Sequence, residues 1–95
     1  AIFLWIHLAE VRLAQGRVEE AERMLGELTE EWWASRKPTS RLLSLARRAT
    51  GCVAAARGRR AEAEERLGKS LEALRERHDE DGWPIQLAKD CLRRL

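Results

Sequence analysis

A chain of 95 residues with 44% hydrophobic and 36% charged residues can bury one modest core and is too apolar for a disordered tail. The net charge of +2 is close to balance and gives no reason to expect nucleic acid or an anionic membrane as the main partner, while a pI near 8.9 leaves room for a local basic patch. Two cysteines, Cys52 and Cys91, lack CxxC spacing and clustered histidines, so a zinc site is not expected; they read as small buried apolar residues in a reducing cytosol.

The first segment, Ala1-Ile-Phe-Leu-Trp-Ile-His-Leu-Ala9, is apolar almost all the way round. No basic stretch precedes it, and Glu10 and Arg12 end the run far short of the ~20 residues a membrane span needs. A helix from about Ile2 to Gln15 is expected, stopped by Gly16. A helix apolar on all faces is packed on all faces, so we expect a chain cut from a longer protein in which a preceding repeat covers Phe3 and Leu4.

The second helix is predicted from about Val18 to Trp33, with Val18, Ala21, Leu25, Leu28 and Trp32 on one stripe. Glu19, Glu20, Glu22, Glu27, Glu30 and Glu31, met only by Arg17 and Arg23, then form a solvated acidic face. Residues 35–40, with Pro38 and small hydroxyls, read as a loop. The third helix, about Thr39 to Arg57, is rich in small residues from Ala46 to Ala56 and ends at Gly58. A fourth, about Arg60 to His78, buries Ala63, Leu67, Leu71 and Leu74. After the loop Asp79-Glu-Asp-Gly82, for which Asp81 is the expected helix cap, Pro84 opens a fifth helix lined by Ile85, Ala88, Cys91, Leu92 and Leu95. No segment alternates with period two, so no sheet is expected.

A ten-residue phrase occurs twice. Gly16-Arg-Val-Glu-Glu-Ala-Glu-Arg-Met-Leu25 returns 42 residues later as Gly58-Arg-Arg-Ala-Glu-Ala-Glu-Glu-Arg-Leu67, with six of ten positions identical. Self-similarity at such a period marks stacked supersecondary units. The expected fold is all-α: antiparallel hairpins stacked as a right-handed solenoid of about two and a half repeats, with hairpins at 1–34 and 39–79 and a half repeat at 83–95.

In the first hairpin Trp5, Leu8, Ala9, Gly16, Ala21, Leu25 and Leu28 stand at the spacings of the tetratricopeptide repeat, which the chain resembles. In the second, Gly51, Gly58, Ala63 and Leu67 fit, whereas Arg47 and Thr50 replace the expected aromatic and leucine; in the third, Leu87 and Ala88 fit and Pro84 replaces the aromatic. The spacing departs from the usual 34 residues, being 42 from Ala9 to Gly51 and 37 from Gly51 to Ala88. Such longer Ala/Leu/Arg-rich repeats look like the superhelix of bacterial MalT-like or LuxR-type transcriptional regulators. Arginine in fifteen of eighteen basic positions, as GC-rich genomes favour, agrees with a bacterial source.

The resemblance implies a non-catalytic module in the cytoplasm whose first helices of each pair line a groove for a protein, a peptide or a small-molecule inducer; a general scaffold for protein assembly is the alternative. Carried onto this chain, the groove residues are Ile6, Glu10, Leu13, Arg48, Cys52 and Lys89, with Glu10, Arg48 and Lys89 orienting a polar ligand. A competing reading packs these positions against neighbouring repeats. No cofactor and no metal are expected, and self-association through the first or last helix is.

Other chemistries find little support. The absence of Asn disfavours the carboxylate clamp of chaperone-binding repeats. Arg57, Arg59 and Arg60 are followed by Glu62, Glu64 and Glu65, which can pair with them along the helix, and no aromatics are interleaved for base stacking. Residues 79–82 lack the ligand spacing of a calcium loop. His7 and His78 stand apart from any nucleophile, and no Gly-x-Ser-x-Gly elbow or Gly-rich phosphate loop occurs. Trp5 reads as core; Trp32, Trp33 and Trp83 read as seals between hairpins, with a role as binding anchors left open.

Overall fold

Two glycines in the left-handed region reverse the chain by the same hydrogen-bond device. In the computed structural model, which describes residues 2–95, α1 (Ile2–Ala14) ends at Gly16 with φ +80° and α4 (Ser40–Ala56) at Gly58 with φ +75°. Gly16 N–H donates to the Leu13 carbonyl and Arg17 N–H to the Arg12 carbonyl, both at 2.9 Å; Gly58 donates to Ala55 at 3.1 Å and Arg59 to Ala54 at 2.9 Å. Each pair of bonds satisfies carbonyls that the helix end would otherwise leave open. The helices that follow, α2 (Val18–Leu25) and α5 (Arg60–Leu74), fold back on their predecessors. The two glycines are therefore equivalent hinges, and the helices they close end within one residue of the expected Gln15 and Arg57; Ala1 lies outside the described residues.

The centre of the molecule is α4, which packs against α1, α2, α5 and α6 (Trp83–Arg93). Its small residues let the neighbours in: Ala46, Ala49, Cys52, Ala54 and Ala55 are all buried. At Gly51 a Cβ would lie 2.7 Å from Leu67 Cγ and 3.2 Å from the Leu67 backbone nitrogen, so α4 and α5 approach too closely for any side chain there. The α5 stripe of Ala63, Leu67, Leu71 and Leu74 is buried as its spacing requires. Buried Ser70 donates its hydroxyl to the Ser44 carbonyl at 2.7 Å, tying the two helices with a satisfied polar contact. No strand occurs among the described residues, and the fold is all-α hairpin packing.

The expected second helix is two helices. α2 stops at Leu25, and α3 (Glu30–Arg36) restarts behind Thr29, whose hydroxyl accepts from Trp32 N–H at 3.1 Å. Gly26 weakens the helix, and Thr29 followed by Glu30 and Glu31 is a capped, dipole-complementing start that the continuous apolar stripe concealed. Restarting resets the rotational phase, so Trp33, not Trp32, enters the core, with Trp32 edge-on against it at 4.9 Å.

Three local expectations are also corrected. The regular part of α5 ends at Leu74 and winds down through turns to His78. The cap of α6 is Gly82, without a side-chain hydrogen bond, so Asp81 does not cap it. Trp5 is 47% exposed and not core; its indole N–H donates to the Met24 carbonyl at 2.7 Å while much of the ring faces outward.

The acidic face of the second segment is engaged, not merely solvated. Glu20 pairs with Arg12 and Arg17, Glu30 with Arg47, and Glu22 with Arg57 at 2.9 Å and Arg59 at 2.8 Å. The Arg59 hydrogen bond, then Arg57, holds the Glu22 carboxyl below the usual range. Arg57 and Arg59 thus reach across to the preceding hairpin and do not pair along their own helix; the expected intrahelical type survives in Arg66–Glu62 and Lys69–Glu65.

Candidate functional site

Helices α1 and α4 open the two hairpins, α6 follows the second, and one side chain touches all three. Arg48 of α4 is 0% exposed and donates from Nε and Nη2 to the two carboxylate oxygens of Glu10 on α1, at 2.8 and 2.9 Å. Its Nη1 donates to the Pro84 carbonyl at the start of α6 at 3.3 Å. The guanidinium also faces the Trp83 ring at 5.4 Å, and His7 Nδ1 stands 3.4 Å from Glu10. A planar fork with five donors is the group best able to join three helices at one point.

A second link lies farther along α4 and α6. Cys52 and Cys91 are bonded, with Cα atoms 5.3 Å apart, which corrects the expectation of two free thiols. The sequence separation of 39 residues gave no local cue to the pairing. From the middle of α6, Lys89 pairs with Glu80 at 2.6 Å, and Arg75 binds the same carboxylate. Those two cations, Arg75 foremost, lower the Glu80 carboxyl to about 2.

The six groove candidates therefore divide. Ile6 and Cys52 are core residues that offer no surface to a ligand, because α1 and α4 meet over them. Glu10 and Arg48 are brought together but spend their hydrogen bonds on each other, leaving Glu10 only 9% exposed. Leu13 is half-buried and lines, with Glu10, Asp90 and Arg94, a cleft of about 80 Å³ over the disulfide. Lys89 stands apart on α6, tied to Glu80.

Two further clefts open on the surface. One, of about 170 Å³, lies between the α2–α3 break and the α4–α5 hairpin, with Glu22, Glu62, Arg59 and Arg66 in its wall. The other, of about 80 Å³, lies among α1, the first half of α4, the end of α5 and the start of α6, and contains Arg48. Its remaining polar residues are His7, Arg41, Ser44, Arg77 and His78, with Trp83 on its edge. Apart from Arg48, none was singled out for the groove by the repeat spacing, because Arg77 and His78 come from the winding-down end of α5.

The geometry so far is that of two equivalent glycine-closed hairpins and a following helix, with the first helices pinned together. A family model for the tetratricopeptide repeat matches residues 1–76.

The chain belongs to the tetratricopeptide repeat family.

That membership accounts for Gly51, Gly58, Ala63 and Leu67, which are the close-packed and turning positions of the second repeat, and for Ala9, Gly16, Ala21 and Leu25 in the first. Comparison with curated proteins and with solved structures gives no match. Tetratricopeptide repeats are protein-binding units and typically non-catalytic. Among the described residues no helix is long and apolar enough to cross a membrane, and no group of three or more His, Cys, Asp or Glu is placed to hold a metal ion.

Proposed function

We propose that this tetratricopeptide module is a non-enzymatic recognition element that binds a segment of a partner protein across the face formed by α1, α4 and α6. The Arg48 junction carries the reading: by joining the three helices it presets their spacing, so a ligand meets a formed surface and does not have to assemble one. Of the six groove candidates, Leu13 and Lys89 retain exposed surface for contact, with Glu10 at the margin, and Ile6, Arg48 and Cys52 shape the face from beneath. The test is amide shift mapping with a bound peptide. Perturbations concentrated on α1, α4 and α6 support the reading; perturbations confined to the outer faces of α2 and α5 end it.

The wider role we propose is the sensor region of a bacterial LuxR-type, MalT-like regulator, where a bound protein or inducer biases helix-pair curvature. Support comes from the 42- and 37-residue repeat spacing and the Gly-Arg phrase at Gly16 and Gly58. A parent gene encoding neither a nucleotide-binding domain nor a helix-turn-helix would remove it. The cytoplasm is the compartment this role implies, and there the Cys52–Cys91 pair would stand mostly reduced. Thiol trapping in intact cells, followed by mass spectrometry, reads its state. Self-association is proposed through α1, where Leu4 and Val11, one heptad apart, are exposed; Leu4→Glu should then abolish any concentration dependence of the sedimentation coefficient.

A further inference from the structure

We infer that the cleft among α1, α4, the end of α5 and the start of α6 is a subsite for an acidic side chain, Glu above all, on the partner segment. The inference rests on the protein-binding reading and adds the chemistry of what is bound. The charges of the cleft wall carry it. Its polar wall is formed by His7, Arg41, Arg48, Arg77 and His78 with the hydroxyl residue Ser44, and no carboxylate lines it. The other two clefts described above carry both signs, Glu22 and Glu62 with Arg59 and Arg66 in one, Glu10 and Asp90 with Arg94 in the other.

Arg48 and His7 both face Glu10, whereas the other three basic residues of this cleft have no carboxylate partner among the described residues. Nine of the arginines stand in ion pairs, Arg48 among them, yet among the described residues no carboxylate lies within 4.0 Å of Arg41, Arg77 or His78. Arg41 rests over the Phe3 ring at 5.4 Å, an arrangement that steadies the guanidinium while leaving its N–H edge for an anion. In a chain so well supplied with glutamates, two arginines left together without one form a local positive field that a carboxylate satisfies.

Size and floor select the ligand. A space of about 80 Å³ admits a single carboxylate head and its short stem, and is too small for a nucleotide base with its sugar. Leu45, Leu74 and Pro84 supply an apolar floor for the methylenes, and Trp83, 64% exposed, offers a flat edge against the backbone or the next side chain of the segment.

The experiment is selection of C-terminally amidated, fully randomised heptapeptides on the chain, followed by affinity measurement through Trp fluorescence. Amidation ensures that any carboxylate bound belongs to a side chain. The expected result is enrichment of Glu and Asp, and a best peptide whose affinity falls about tenfold or more for Arg41→Gln combined with Arg77→Gln. Replacing each Glu of that peptide by Gln should weaken it as much. Arg23→Gln, an exposed arginine outside the cleft, should leave affinity unchanged, and circular dichroism should show all variants folded. Selected peptides without acidic enrichment, or acidic peptides indifferent to the double substitution, overturn the inference. So does a preference for phosphoserine over Glu, or tighter binding of a labelled oligouridylate through the same two arginines. Non-acidic peptides that still perturb α1, α4 and α6 overturn this inference alone; no peptide binding at all overturns the protein-binding reading with it.

Discussion

Arg48 and Glu10, 38 residues apart in sequence, form a two-bond ion pair inside the protein, with the arginine fully buried. Such a pair holds geometry more than it adds stability, because desolvating both charges offsets most of their attraction. Removing one partner is another matter. Arg48→Met, which strands the Glu10 carboxylate, should destabilise by about 3–5 kcal/mol, whereas Arg48→Met with Glu10→Leu should recover most of that loss. Urea unfolding of the two single variants and the double variant checks it.

The close approach of α4 and α5 makes Gly51 a packing residue despite its place inside a helix. Gly51→Ala should cost about 1–3 kcal/mol because the new Cβ meets the Leu67 side chain and backbone, in spite of better helix propensity. Gly68→Ala, where nothing lies within 4 Å, should instead stabilise by about 0.5–1 kcal/mol. Thermal unfolding should therefore move the two midpoints in opposite directions.

Equivalent hinges should respond alike. Gly16→Ala and Gly58→Ala each force a Cβ into the left-handed region with no steric contact to blame, and should each cost about 1–2 kcal/mol. Chemical denaturation resolving one variant as neutral and the other as costly would mean the two turns are not the same device.

The Cys52–Cys91 bond closes a loop with 39 residues of separation, and by the chain-entropy relation stabilises by about 4 kcal/mol. Cys91→Ala should lower the denaturation midpoint to that of the reduced protein, and reductant should then have no further effect. Hydrogen exchange should show α6 loosening first, since it is the element the bond ties to α4.

The Glu80 carboxyl is held at about 2 against an ordinary value of 4.5 by Arg75 and Lys89. Because its folded value is the lower one, its contribution to stability is present above pH 4.5 and is lost as the pH falls toward 2. Carboxyl carbon shifts should report a midpoint near 2 for Glu80, and Arg75→Ala should raise it toward 4.5. Because the site is exposed, high salt should shift the midpoint the same way.

Much of the architecture was readable in order along the chain. The Gly16 and Gly58 turns, the α5 stripe and the all-α class came from spacing alone. The break at residues 26–29 is hidden in the sequence because Leu25, Leu28 and Trp32 continue a helical period across it, and the cap written in Thr29-Glu30-Glu31 also reads as acidic surface. At the candidate site, helix periodicity puts Glu10 on α1 and Arg48 on α4 without showing that they face each other. No repeat position marks Arg41 or Arg77, and Trp83 reads in the sequence as a seal between hairpins with an anchor role left open.

Helix periodicity, glycine hinges and the repeated phrase act over a few residues, so local order alone specifies which segments are rods and where they reverse. Pairings such as Glu10 with Arg48, Glu22 with Arg59 and Cys52 with Cys91 join residues 37 to 39 positions apart. Which of fifteen arginines finds a carboxylate, and which is left facing a cleft, depends on how the rods dock, and that is settled only when the whole core is packed.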